Sequence, residues 1–90
     1  MIHYERAPNV LWRATAHTVV LLPQGEREPL SLTGSAILLW ELLEEPIAIE
    51  HVVGLLAEHY GIGREEVSVA IAPFLADLTD RKAITMHEVA

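Results

Sequence analysis

The chain has 90 residues and a formal net charge of −7, from 13 acidic and 6 basic side chains. This length predicts a single domain over residues 1–90, with too small an interior for a deep catalytic cavity. The negative charge argues against nucleic-acid binding, because non-specific DNA affinity comes from neutralising phosphates with lysine and arginine. The absence of cysteine excludes disulfides and thiolate metal sites. Proteins without disulfides are common in the cytoplasm.

Apolar residues make up 51% of the chain. The core of a small domain needs fewer apolar residues than this, so we expect part of the apolar surface to contact a partner. The N-terminus has no signal-peptide pattern, and the apolar runs are far shorter than the about 20 residues of a membrane span. We therefore expect a cytoplasmic protein without a membrane partner.

The first third of the sequence has the pattern of three short strands. A loosely alternating segment covers residues 9–13, an apolar segment covers 18–22, and a third covers 27–32. The short turns between them predict an antiparallel meander with the second strand in the centre. Pro29 is typical of an edge strand, because proline cannot donate to a β-ladder. The third strand is therefore expected to have a free edge.

The remaining two thirds have the pattern of helices. The predicted helices span residues 35–43, 49–60 and 64–81. The side chain of Thr33 or Ser35 is placed to cap the first helix. Residues 83–86 are expected to form either a last short strand or an extended tail.

The third predicted helix has two apolar faces. One face carries a stripe at helical spacing, and the opposite face is small and mostly uncharged, with Val69, Ala72, Pro73 and Ala76. This pattern predicts either a well-buried helix or a helix whose second face receives a partner segment. Pro73 also removes one helical hydrogen bond and is expected to bend the helix.

Catalytic and metal sites are not indicated. The five histidines form no ligand pair at helical spacing, so we expect them at the surface and predict no metal. The carboxylate pairs sit at helix ends, and no serine or threonine is accompanied by a base, so no catalytic residue and no cofactor are predicted. Trp40 is expected in the core, and Trp12 either in the core or facing a partner.

Taken in order, these features resemble the PqqD-like peptide-recognition domain, also called the RiPP recognition element. The resemblance covers residues 6 to 85 and rests on an Arg6-Ala7-Pro8 start, the apolar strand Val19 to Leu22, the strand-to-helix signature from Leu30 through Trp40 to Leu43, Val52, Val53, Leu56 and Tyr60 in the second helix, Val67, Phe74, Leu75 and Leu78 in the third, and Ile84. Thr33 stands where the family often has asparagine.

The resemblance implies a winged-helix-like α+β domain, with a three-stranded antiparallel sheet followed by three helices. It further implies that the leader segment of a ribosomally synthesised precursor peptide adds as a strand to the third strand and lies against the third helix. The candidate peptide-binding residues are Arg27, Glu28, Pro29, Leu30, Ser31 and Leu32 on the strand, and Val69, Ala70, Pro73, Phe74 and Asp77 on the helix. Which faces line the groove, and whether Pro29 removes a donor from the edge, are left open.

Several settings follow from the resemblance. The favoured one is lasso-peptide maturation, with delivery to a separate leader peptidase of the transglutaminase-like cysteine protease class. The alternative is pyrroloquinoline quinone biosynthesis, with a radical enzyme as partner. The acidic third helix argues against a winged-helix DNA-binding regulator. A small enzyme and a structural subunit are further alternative functions. The acidic charge also predicts that a basic leader is steered to the site.

Overall fold

The computed structural model of the protein describes residues 1–89. Its strands are β1 (Ile2–Arg6), β2 (Leu11–Ala14), β3 (Val19–Leu22), β4 (Leu30–Leu32), β5 (Ile47–Ala48) and β6 (Ile84–Glu88). Its helices are α1 (Ser35–Leu42), α2 (Ile49–Tyr60) and α3 (Arg64–Asp80). Within this range, none of the helices combines the length and the apolar character that crossing a membrane requires.

The predicted meander is the sheet β2-β3-β4, which is antiparallel with β3 in the centre. Val19 and Leu21 of β3 are buried, while Val20 and Leu22 are half-buried, so alternate residues point into the core. Together with the three helices, this sheet confirms the predicted α+β class. The meander places β4 at one edge of its sheet.

A second antiparallel sheet, which the sequence did not predict, has the order β5-β1-β6. β1 pairs with β6 along its whole length, from Ile2 opposite Glu88 to Arg6 opposite Ile84. The segment predicted as a last strand or a tail is therefore a strand, and it extends to Glu88. Because β6 pairs with β1, this strand does not cover the edge of β4.

The core lies between the two sheets and the three helices. Trp40 is 1% exposed, which confirms its predicted place in the core. The other fully or nearly fully buried apolar residues are Val19, Leu21, Leu32, Leu39, Leu43, Val52, Val53, Leu56, Ala57, Val67, Leu75, Leu78, Ala83 and Ile84. No polar or charged residue in the described part of the chain is buried. The described part of the chain thus has an ordinary apolar core.

The third predicted strand is shorter than expected. Residues 27–29 do not belong to β4, because a turn precedes them in which the Glu26 amide donates to the Pro23 carbonyl at 3.1 Å. Gly25 has a positive φ of 84° in this turn, which glycine adopts without strain. Pro29 lies just outside β4, so it removes no donor from the strand itself.

The predicted side-chain cap of α1 is absent. Gly34 is the capping residue, with φ of 60°, and no side chain accepts a hydrogen bond there. Backbone carbonyls accept these hydrogen bonds instead: the Ala36 and Ile37 amides donate to the carbonyls of Thr33 and Gly34 at 3.2 and 3.1 Å. The interpretation of Thr33 or Ser35 as the capping side chain is therefore wrong, since glycine sets the turn.

Arg6 links β1 to α1 and β2. Its guanidinium donates from Nε and Nη2 to the Trp40 carbonyl at 3.0 and 2.7 Å. The same group lies 4.5 Å from the ring centre of Trp40 and 4.9 Å from that of Trp12. Burial lowers the pKa of Arg6, while the carboxylates of Glu44 and Glu41 act to raise it. Arg6 is thus a structural cation at the end of α1.

We expect Arg6→Ala to lower the free energy of unfolding by about 2 to 3 kcal/mol. Two charge-assisted hydrogen bonds and the stacking between two indoles are lost, and the Trp40 carbonyl is left without these donors. Arg13→Ala is the matched control, because the Arg13 side chain is exposed and makes no hydrogen bond or ion pair with residues 1–89. Urea unfolding of both variants measures the difference, and equal small losses would contradict this role for Arg6.

Candidate functional site

The outer edge of β4 is unpaired. β4 pairs with β3 on one side, and among residues 1–89 no strand pairs with its other side. Backbone N–H and C=O groups on such an edge are free to bond to another chain. β2, at the opposite edge of the same sheet, is also unpaired on its outer side. The sheet therefore offers two edges on which a strand can be added.

An apolar cavity of about 640 Å³ lies between the start of α1 and the N-terminal half of α3. Its lining is almost entirely apolar and comes from all three helices and the turn after α2. The residues that line this apolar cavity are Ser35, Ala36, Leu39, Leu56, Tyr60, Ile62, Val67, Ala70, Ile71 and Phe74. A large apolar side chain fits its size and chemistry.

A charged cavity of about 390 Å³ lies at the start of β4 and the end of α3. Its lining includes Arg27, Glu28, Leu30 and Arg81, together with residues of the preceding turn. Arg81 also forms an ion pair with Asp77, at 3.1 Å between Nε and a carboxylate oxygen. The pair is half-exposed, so its contribution to stability is small.

Together the two cavities define the relative direction of β4 and α3. The beginning of β4 shares the charged cavity with Arg81, which directly follows α3, and Ala36, four residues after β4, shares the apolar cavity with Ala70 and Phe74. From these shared linings we infer that β4 and α3 run in opposite directions, with a cleft between them. We call this space the β4–α3 cleft: it is apolar at the α1 end and charged at the other.

On the strand side, the predicted site residues have different environments. Ser31 is exposed, whereas Leu30 is half-buried opposite Leu21 and Leu32 is 2% exposed, within the core. Leu32 therefore offers only its backbone to the cleft. Arg27 and Glu28 lie outside the strand but line the charged cavity, and Pro29 is exposed beside them.

On the helix side, the cleft is lined by one row of α3. Ala70 and Phe74 line the apolar cavity, and Arg81 of the same row lines the charged one. Asp77 is bound to Arg81. Ala72 and Ala76 instead line a depression of about 350 Å³ that also contains Tyr4 and Met86, on the side of β1 and β6.

Val69 and Pro73 are exposed on α3, next to the row that lines the cleft. Val69 is 71% exposed, and Pro73 lies one helical turn further along. Because proline has no N–H, the Val69 carbonyl receives no helical hydrogen bond from residue 73. The exposed surface of α3 therefore combines apolar side chains with a backbone acceptor.

The sequence did not predict that the end of α2 and the turn after it line the apolar cavity. Tyr60 and Ile62 are 45% and 42% exposed, and both line the cavity on either side of the turn at Gly61. A signal was available, because an apolar residue directly after a helix-ending glycine often packs against the last turn of the helix, and the Ile62 amide donates to the Ala57 carbonyl at 3.1 Å in this arrangement. The pattern of α2 alone does not show that this turn reaches α3.

An open sheet edge beside a partly apolar helix is the arrangement of proteins that hold an extended peptide. Residues 18–84 match the family model described as Coenzyme PQQ synthesis protein D, PqqD, so the chain belongs to the PqqD family. The match runs from just before β3 to the first residue of β6 and contains both sides of the cleft. Neither the curated proteins nor the solved structures gave a match to the chain.

Proposed function

We propose that the protein binds the leader segment of a ribosomally synthesised precursor peptide as an added strand on β4. The observation that carries this proposal is the unpaired edge of β4, which is followed in the chain by an apolar cavity lined by Ser35 and Ala36. Membership of the PqqD family supports it, because the family is one of non-catalytic proteins that bind precursor peptides. The protein acts in this proposal as a peptide chaperone and not as an enzyme.

Affinity and sequence choice come from different parts of the cleft. Hydrogen bonds to the backbone of β4 set the register of the leader, but β4 has only three residues and offers few of them. Binding therefore depends on a side chain of the leader that enters the apolar cavity beside Ala70 and Phe74. Leaders with a bulky apolar residue next to the paired segment are the expected ligands.

β4 is a better acceptor of the leader than β2. All four residues of β2 are exposed, and among residues 1–89 β3 is the one strand that pairs with it. A strand added to β2 meets only Leu11 and Trp12 as exposed apolar side chains, whereas a strand added to β4 lies beside α3 and the apolar cavity. The difference in apolar contact favours β4.

For the pathway, we favour delivery of the leader to a separate leader peptidase of the transglutaminase-like cysteine protease class in lasso-peptide maturation. The compact strands and the two tryptophans, Trp12 and Trp40, support this choice. The alternative is pyrroloquinoline quinone biosynthesis with a radical enzyme, which the description of the matching family favours. Measuring which precursor leader binds distinguishes the two settings.

Hydrogen exchange of the backbone amides tests the proposed edge directly. On addition of a synthetic precursor leader to the ¹⁵N-labelled protein, we expect slower exchange at outward-facing amides of β4, because they become hydrogen-bonded. The amides of β2 serve as the internal control and keep their rates. Protection at β2 in place of β4 would reassign the edge, and failure of both lasso and quinone-type leaders to bind would reject the function.

A further inference from the structure

The segment that forms β2, β3 and their connecting loops has an unusual charge. Residues 7–25 contain no aspartate or glutamate, although the chain has 13. The ionisable side chains of this segment are Arg13 and His17, and both are exposed. An acidic protein therefore presents one hairpin that is neutral to positive, which favours an acidic partner over a basic one.

The same hairpin exposes large apolar side chains. Leu11 is 69% exposed and Trp12 is 48% exposed. In the register of β2 and β3, Leu11 lies opposite Leu22 and Arg13 lies opposite Val20, so these four residues share the side of the sheet that faces away from the core. We call this surface the outer face; it is apolar apart from the guanidinium of Arg13.

Trp12 lies opposite the fully buried Leu21, so its ring is on the core-facing side of the sheet, beside the open edge of β2. Its ring meets that of Trp40 edge to face, with centroids 6.1 Å apart, and it also stacks on Arg6. Arg6 is itself fixed by its hydrogen bonds to the Trp40 carbonyl. Because these contacts already orient the ring, the half-exposed Trp12 loses little side-chain entropy when a partner binds beside the open edge of β2.

We propose that the outer face and the open edge of β2 dock the enzyme that modifies the leader-bound precursor. The matching surface of that enzyme is apolar and places a carboxylate opposite Arg13. This inference rests on the proposed function, because it takes the enzyme to be a protein that acts on the bound peptide. A second copy of the chain is a poorer occupant, since two copies bring together like charges at Arg13 and a net charge of −7 each.

The sheet also explains how the leader and the enzyme bind at the same time. β2 and β4 lie on opposite sides of β3, and neighbouring strands are about 4.8 Å apart. The two edges are thus separated by roughly 10 Å, on two spacings of that size. The enzyme docks beside the leader without competing for β4, and the rest of the precursor is kept within its reach.

The test compares binding of the enzyme with binding of the leader in one variant. The probes are the purified leader peptidase or radical enzyme from the same genome and a labelled synthetic leader. For L11E/R13E we expect enzyme affinity to fall at least tenfold, with leader affinity unchanged. Ala76→Glu is the control: it also adds a carboxylate at an exposed site, but on the side of α3 near β6. Neither probe should lose affinity in this control.

The outcomes separate the two proposals. Unchanged enzyme binding in L11E/R13E overturns the docking surface, and so does a wild-type protein that binds the leader but neither enzyme. Self-association of the wild type that L11E/R13E abolishes, seen by sedimentation, also overturns it and assigns the surface to a second copy. A wild-type protein that binds an enzyme but no leader contradicts the proposed function instead.

Discussion

Replacing Ala70 with glutamate is expected to weaken leader binding by at least about 100-fold, or nearly 3 kcal/mol. Ala70 is exposed on α3 and lines the apolar cavity. In the complex, the new carboxylate would lie beside an apolar side chain of the leader and lose its water without gaining a cation. Fluorescence anisotropy with a labelled leader measures the change in Kd.

The same substitution at Ala72 is the matched control. Ala72 is exposed on the same helix, but it lines the depression on the side of β1 and β6, outside the cleft. Ala72→Glu should therefore bind the leader as the wild type does, with a similar unfolding midpoint. If folded Ala70→Glu keeps full affinity, the apolar cavity is not part of the site, and equal losses in both variants would indicate an effect through the helix.

Pro73→Glu provides a second variant on the exposed side of α3. The sequence alone also predicts that Leu30→Lys abolishes leader binding. This variant is a poorer test. Leu30 is half-buried and lies opposite the fully buried Leu21, so a charge at this position also disturbs the core. Loss of binding in Leu30→Lys would thus have two causes, whereas Ala70 and Pro73 are exposed.

Local patterns were sufficient to predict the meander and the three helices. β3 is an unbroken apolar segment, and its neighbours are separated from it by short turns at Gly25 and at residues 15–18. β1 was missed because its partners are remote, as Arg6 lies opposite Ile84. Pairing at such a separation leaves no periodic signal in a short strand, where context outweighs the propensity of the residues.

The candidate site was likewise predicted from the sequence only in part. Both elements that bound the cleft, β4 and α3, were predicted, and the spare apolar face of α3 is exposed at Val69 and Pro73. Which side of α3 faces β4 depends on how the helix is rotated against the sheet, and no local pattern records that rotation. The part played by Tyr60 and Ile62 depends on the same packing.

Trp40→Ala is expected to lower the free energy of unfolding by about 3 to 5 kcal/mol. Trp40 is 1% exposed, and its removal leaves a cavity in the core of a small domain. The loss also removes the ring on which Arg6 stacks and which Trp12 meets edge to face. Domains of this kind have only about 5 to 15 kcal/mol in total, so the variant should be close to unfolding at 37 °C. Urea denaturation measures the loss.

Trp12→Ala is the control for this prediction, because Trp12 contacts the same Arg6 but is 48% exposed. We expect this variant to lose about 1 kcal/mol of unfolding free energy, since much of the Trp12 ring is already in contact with water. Equal losses at the two positions would mean that the contact with Arg6, which both share, outweighs burial.

Trp40→Phe separates the volume of the indole from its polar atom. Nε1 of Trp40 is buried, and no hydrogen-bond partner for it is present among residues 1–89. A buried donor without a partner costs about 1 to 3 kcal/mol, and phenylalanine removes that cost while keeping most of the ring. We therefore expect Trp40→Phe to retain most of the stability that Trp40→Ala loses. A Phe variant as unstable as the Ala variant would show that the full indole outline, and with it the contact to Trp12, is what the core requires.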